Sequence, residues 1–506
     1  MNLKYLFLII LFGFALRAAF ITDFPPSLNW DEVSLGYNAY SLLKTGRDEW
    51  GTVLPAIFRA FGDFKLPGYI YADVPFVAVL GLNALSVRFP SIMAGTLLIF
   101  LVYALSRKLS APPLTSALLA AISPWSLFLS RVAVEANLGI FLFTLGVTLL
   151  LYRKLSLGII YVLLSAWTYN SFRIFAPLFI VAYFLIYRTK TNIILYSLFF
   201  ILFIPVLIQL LSPSGQARYK WLTLLDEGAI AQINQLRQRP GGRFVYNKAT
   251  YLAYRFTTNY LNHFNPRFLF INGGSQYQFN IPGFGLLYLI CLPFFYIGFL
   301  KIFKHKVILL WLILAPIAGS LTRDAPHTLR AITMLPAVIL ITAYGLNRCS
   351  QVLKNTRIIF ILLLLLSLDY YLNPVAFNYR TNYSWSWQYG YKETVKYVMD
   401  NYSKYDEIIF TKRYAEPHEF IAFYWPWDPA DFQKSKRWDY HADWYWVNRL
   451  EKIKFVNDWE MPIVIAALLP GQKYLVISSP DNPSPGTLLT QINFLDSKPA
   501  FYIKEL

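Results

Sequence analysis

Long apolar runs alternate with short polar connections over residues 5–372, and this pattern predicts a bundle of membrane helices. The runs lie at residues 5–21, 87–105, 114–129, 138–151, 157–169, 174–187, 193–211, 281–300, 307–321, 331–346 and 358–372. That is ~11 spans, several of them shorter than the ~20 residues of a perpendicular membrane helix. Between 22 and 86 the pattern changes. Val33, Tyr37, Tyr40 and Leu43 recur at about 3.6-residue spacing and predict a helix over 32–43. Residues 67–80 are apolar, but ~14 residues cannot cross a bilayer, so an interfacial helix is expected. Beyond residue 372 no further span is expected. There 394–399 reads as helix, 407–410 and 474–478 as strands, and 480–486 as turns. The division that follows is a membrane domain at 1–372 and a small α/β domain at 373–506.

Charge orients this pattern. The chain is 56% hydrophobic and 15% charged, with a formal net charge of +18. The connections at 107–108, 153–154, 188–190, 301–306 and 348–357 carry Lys or Arg and no acid. They alternate along the chain, as the positive-inside rule requires of cytoplasmic loops. The excess charge is therefore a topology signal. Its clusters are short and separated by apolar spans, which argues against nucleic acid as a partner. The long segments 22–86, 212–280, 322–330 and 373–506 then face the extracytoplasmic side. The run 5–21 lacks a small-residue cleavage site and reads as the first span. Cys291 and Cys349 fall in a span and an inner connection, so no disulfide is implied. The chain has no internal repeat, no metal-type Cys/His spacing and no glycine motif for phosphate.

The polar residues of the outer segments carry the candidate chemistry. Asp31 and Glu32 follow the first span and place carboxylates, hence a general base, at a membrane surface. Lys65 opens the interfacial helix. Arg131 and Glu135 follow a span, Arg173 precedes one, and Arg323, Asp324, His327 and Arg330 crowd a short loop. Outer arginines beside spans run against the positive-inside rule and suggest an anionic partner, phosphate being the natural one. Snorkelling or local pairing, such as Arg131 with Glu135, is the bland account. The Arg- and Gly-rich segment 212–280 is either a loop that orders over substrate or a solvated connection. Trp385, Trp387, Trp425, Trp427, Trp438, Trp444 and Trp446 serve a core, a bilayer interface or a sugar face.

Several blocks together resemble a known family. They are Trp30-Asp31-Glu32, Tyr37-Asn38-Ala39-Tyr40, Gly62-Asp63-Phe64-Lys65-Leu66-Pro67, Ser86-Val87-Arg88-Phe89-Pro90-Ser91, Ser123-Pro124-Trp125, Ser130-Arg131, Glu135-Ala136-Asn137, Asn170-Ser171-Phe172-Arg173 and Pro326-His327 with Arg330. They resemble the family 39-type glycosyltransferases, bacterial relatives of protein O-mannosyltransferases and of the aminoarabinose transferase that modifies lipid A. The resemblance covers residues 1–346. It implies a polytopic α-helical membrane protein of GT-C fold, with its active site on the extracytoplasmic face of the cell membrane. It implies transfer of a hexose or pentose from a polyprenyl-phosphate carrier, with inversion, to a protein, glycan or lipid acceptor. Asp31 matches the family's base or acceptor-orienting acid. Lys65 matches the lysine of a Lys-Pro-Pro motif near the donor phosphate, here Lys65-Leu66-Pro67. Phe64 stands where the lipid A enzymes carry Glu, so Asp63 or Glu32 would supply a second carboxylate. Arg330, Arg131, Arg173 and His327 are the further candidates for phosphate. Asp31 and Glu32 could hold Mg²⁺ or Mn²⁺ through oxygen ligands, although the nearer relatives point to a metal-free site. The rival reading is a transporter or lipid flippase, for which charged or broken segments near the bilayer centre would be expected.

Overall fold

Helices dominate the computed structural model, which describes residues 2–187 and 193–506. The basic connection at 188–190 lies outside the described residues. The chain divides into two compact units. One comprises Met1–Ala19, Ser91–Ser130 and Val134–Leu372; the other comprises Phe20–Pro90, Arg131–Ala133 and Asn373–Leu506.

The first unit is helical. Four described helices are long and apolar enough to cross a membrane: Ala84–Lys108, Asn170–Tyr187, Ile193–Leu211 and Arg330–Val352. Shorter apolar helices include Glu135–Leu151, Leu155–Ala166, Leu289–Phe299 and Lys306–Ser320. Three expectations change. The run 114–129 is split into Pro113–Ile122 and Pro124–Leu129, because Pro124 cannot donate to the preceding turn. In the run 281–300, regular helix is confined to Leu289–Phe299. The segment 212–280 is largely helical rather than a loop, with helices Pro213–Leu222, Glu227–Leu236 and Lys248–Asn262. Small residues allow close packing here. A Cβ on Gly345 or Gly298 would strike backbone of the facing helix, so Leu289–Phe299 and Arg330–Val352 meet main chain to main chain. An aromatic cluster of Phe143, Phe175, Phe179 and Trp311 fills the core nearby, with Phe143 and Phe175 stacked at 4.4 Å.

The second unit is built on two sheets. A hairpin pairs β1 (Phe58–Arg59) with β2 (Phe64–Lys65). A seven-stranded sheet contains β3 (Glu407–Thr411), β4 (Lys436–His441), β5 (Trp444–Leu450), β6 (Ile453–Val456), β7 (Tyr474–Ser478), β8 (Thr487–Asn493) and β9 (Pro499–Glu505). Its order is β4-β5-β6-β3-β7-β9-β8, with β3 parallel to β6 and β7 and the outer strands antiparallel. The central strand reads Ile408-Ile409-Phe410 because both of its faces are buried. On one face Ile409 packs with Val456, Met461 and Val476. On the other, Tyr391 stacks on Phe420 at 4.0 Å.

The same unit takes in the expected helix near 32–43, which runs Trp30–Thr45. Asn29 and Glu32 form a reciprocal capping box at its start, and Gly46 ends it in the left-handed region at φ 67°. Helix Pro67–Leu80 has the expected limits. Helix Trp30–Thr45 packs on helix Pro417–Tyr424 closely enough that a Cβ on Gly36 would crowd Phe423. The Tyr37 hydroxyl donates to the Trp427 carbonyl at 3.1 Å.

Candidate functional site

Asp31 and Glu32 occupy the first turn of helix Trp30–Thr45, where the helix dipole favours carboxylates. Adjacent positions on a helix point about 100° apart, and the two acids meet opposite surroundings. Glu32 is fully buried. Its Oε1 accepts from Arg88 Nε at 2.8 Å and from the Ala133 amide at 2.9 Å; its Oε2 accepts from Arg88 Nη2 at 3.0 Å and from the Asn29 amide at 3.2 Å. Arg88 is likewise buried, and its remaining donors reach the carbonyls of Ile21, Pro25 and Ser27. Glu32, a candidate for catalysis, therefore ties the chain at 21–27 to the helix start. Both of its oxygens are spent on structure.

Asp31 stays accessible, with its side chain 47% exposed. The hairpin of β1 and β2 presents Lys65 to it, and Lys65 Nζ donates to Asp31 Oδ1 at 2.7 Å. The Trp30 indole donates to Oδ2 at 3.2 Å. The carboxylate is thus held on two sides and reachable from solvent. Lys65 is 5% exposed and engaged with Asp31, so its geometry is that of a residue positioning this acid rather than one open to a phosphate. The pair does not suit a divalent ion. Glu32 has no oxygen to give, an ammonium lies against Asp31, and no cluster of three or more His, Cys, Asp or Glu suited to a metal occurs among the described residues.

Arg131 belongs to the same unit. Its guanidinium donates to the carbonyls of Phe24 at 2.9 Å and Phe20 at 3.3 Å and lies over the Phe24 ring. Like Arg88 it pins the chain after residue 20.

The helical unit holds the other candidates. Arg330 is 8% exposed and reaches Thr322 Oγ1 at 3.0 Å and Asp324 Oδ2 at 3.5 Å. His327 precedes it in the loop. Burial first, then the charges of Arg330 and Arg218, push the imidazole down to about 3. His327 is therefore neutral at pH 7 and can meet an anion as a hydrogen-bond donor. Arg218, from helix Pro213–Leu222, was not among the sequence candidates; the Arg-rich composition of 212–280 was its only signal. Arg173 donates to Gln209 Oε1, while its buried Nε has no partner among the described residues. Its helix, Asn170–Tyr187, packs against the turn that begins at Arg330.

Comparison with solved structures covers nearly the whole chain. ArnT from Cupriavidus metallidurans in the apo state superposes with a TM-score of 0.53 at 9% identity, over 99% of this chain and 97% of that one. The same protein bound to undecaprenyl phosphate gives 0.52 at 10% identity with the same coverage. This is the GT-C fold. The Archaeoglobus fulgidus oligosaccharyltransferase in complex with Zn and sulfate is also similar, at TM-score 0.50 and 14% identity over 83% of this chain, which spans 61% of that longer protein. No family model and no curated protein matches in sequence. At these identities the likeness is one of fold, so the chemistry of this chain has to be argued from its own residues.

Proposed function

We propose that the chain is a membrane glycosyltransferase that moves a sugar from a polyprenyl-phosphate carrier to an acceptor hydroxyl or amine, with inversion, on the extracytoplasmic side. The observation that carries this reading is Asp31. It is a half-exposed carboxylate gripped by Lys65 and Trp30, placed as a general base must be. The GT-C fold supports the donor class by analogy, since a neighbour of full-length coverage is bound to undecaprenyl phosphate. The alternating basic connections support the sidedness and a set of ~11 spans.

The step balances simply. The acceptor oxygen or nitrogen attacks the anomeric carbon. The bond from that carbon to the phosphate oxygen breaks, and its electron pair leaves with the polyprenyl phosphate. The acceptor proton passes to Asp31. Arg330 and Arg173 of the helical unit are the candidates for binding the carrier's phosphate. His327 adds a neutral donor. Lys65 acts through Asp31 by fixing its rotamer.

The test is release of polyprenyl phosphate from a polyprenyl-phosphate sugar by the purified full chain in the presence of acceptor. Asp31→Asn should lower turnover by about 10²–10⁴ with donor binding retained. Unchanged turnover in that variant overturns the assignment. Movement of intact lipid across vesicles without sugar transfer would favour a flippase instead.

A further inference from the structure

The second unit contains a cleft of about 610 Å³ that the transfer chemistry does not use. Its polar wall comes from one place in the topology. Lys412 and Arg413 follow β3, Asn457 and Asp458 follow β6, and Asp481 and Asn482 follow β7. These are the carboxyl ends of three adjacent parallel strands, where open α/β sheets receive ligands. The cleft is also lined by Trp30, Trp444, Trp446 and Trp459.

The polar groups are built into place. The carboxylate of Asp458 accepts from the hydroxyls of Thr411 and Ser479, each at or just past the end of its strand. Glu416 Oε1 accepts from the Trp444 indole at 2.9 Å. Burial pushes Glu416 up to about 7, so near neutrality it both donates and accepts. The cations are already engaged: Arg413 with Asp481 at 2.5 Å, and Lys412 with Asn448 at 2.7 Å. With Glu416, Asp458 and Asp481 against two cations, the cleft does not suit a phosphate. Aromatic faces beside carboxylates and amides suit a pyranose, whose C–H face packs on indole while its hydroxyls reach polar groups. Trp459 is 72% exposed, a costly placement for an indole that covers nothing. Trp30 lines this cleft and also donates to Asp31.

We infer that the cleft at the carboxyl ends of β3, β6 and β7 binds a saccharide portion of the acceptor, with Trp459 and Trp444 as stacking faces and Asp458 as the hydroxyl acceptor. Binding of a saccharide follows from the cleft alone; calling it the acceptor rests on the transferase reading.

The experiment uses the full chain in a sugar-free zwitterionic detergent, with maltotriose, mannotriose and chitotriose as probes. Saturation-transfer NMR from the aromatic protons should show contact with at least one trisaccharide. Trp459→Ala, at an exposed site that leaves folding intact, should weaken that binding about tenfold, as loss of a stacking face predicts. Asp458→Asn should weaken it as well, and undecaprenyl phosphate binding should stay within about twofold of wild type. Absence of binding by every probe, indifference to Trp459→Ala, or displacement of the sugar by undecaprenyl phosphate overturns the inference. If the full chain releases no polyprenyl phosphate from a polyprenyl-phosphate sugar while Trp459→Ala still weakens trisaccharide binding, the cleft stands and the transferase reading falls.

Discussion

Arg88 in the sheet-bearing unit and the pair Arg330 and Arg173 in the helical unit are buried in contrasting ways. In the sheet-bearing unit, Arg88 meets a complete carboxylate and three carbonyls, and every oxygen of Glu32 is taken. In the helical unit, Arg330 has its nearest carboxylate at 3.5 Å and Arg173 keeps a buried Nε without a partner among the described residues. A buried charge whose donors are all satisfied has nothing left for a ligand. One left short bears a desolvation cost that an arriving anion can relieve. The contrast separates an arginine that holds the fold from the arginines proposed to meet phosphate.

The comparison breaks most visibly at Glu32. Glu32→Ala should cost about 3–5 kcal/mol, because it strands Arg88 in the interior. Thermal unfolding in detergent measures this, and an apolar pair, Glu32→Leu with Arg88→Met, should recover much of the loss. A retained midpoint in the single variant would show that the pair is dispensable.

The second effect lies in pH. Glu416 is raised from 4.5 to about 7 by burial, so the folded state holds a proton that the unfolded state has released. Its stabilisation is complete below about pH 4.5 and is lost as pH rises through 7, amounting to about 3 kcal/mol. Glu416→Gln should flatten that part of the stability curve. The difference between wild type and variant isolates Glu416, and a difference that stays flat between pH 5 and 7 would contradict the assignment.

Smaller effects sharpen the helical side. Arg330→Ala should weaken undecaprenyl phosphate binding about tenfold, with far less loss of melting temperature than Glu32→Ala. Lys65→Met should lower turnover with little change in donor affinity, as expected of a group that orients Asp31. A large fall in donor affinity would return Lys65 to the phosphate.

What the sequence revealed follows burial. Apolar runs became helices because a lipid-facing or core-facing helix needs an unbroken apolar stretch, and β3 and β7, buried on both faces, could be read for the same reason. β4 and β8 escaped notice because most of their residues are exposed and no apolar period marks them. The helices within 212–280 carry mixed, polar sequences that resemble loops. The motif resemblance singled out Asp31 and Lys65 but placed Lys65 near the donor phosphate, and nothing in the sequence paired the two. The pairing of Glu32 with Arg88, 56 positions away, leaves no local trace. Nor does any local pattern reveal that residues 20–90 fold with residues 373–506.

That last feature has a consequence for biogenesis. Trp30 is translated early, yet it shares a cleft with residues up to Asn482. Lys436 donates to the Glu49 carbonyl at 3.0 Å, and the Tyr445 amide donates to the Phe61 carbonyl at 2.7 Å. While the ribosome is still adding the later helices, the stretch around Asp31 has none of these partners. It must wait, incomplete, for hundreds of residues to follow. A nascent chain of this design completes the surroundings of the Trp30–Thr45 helix only near the end of its own synthesis.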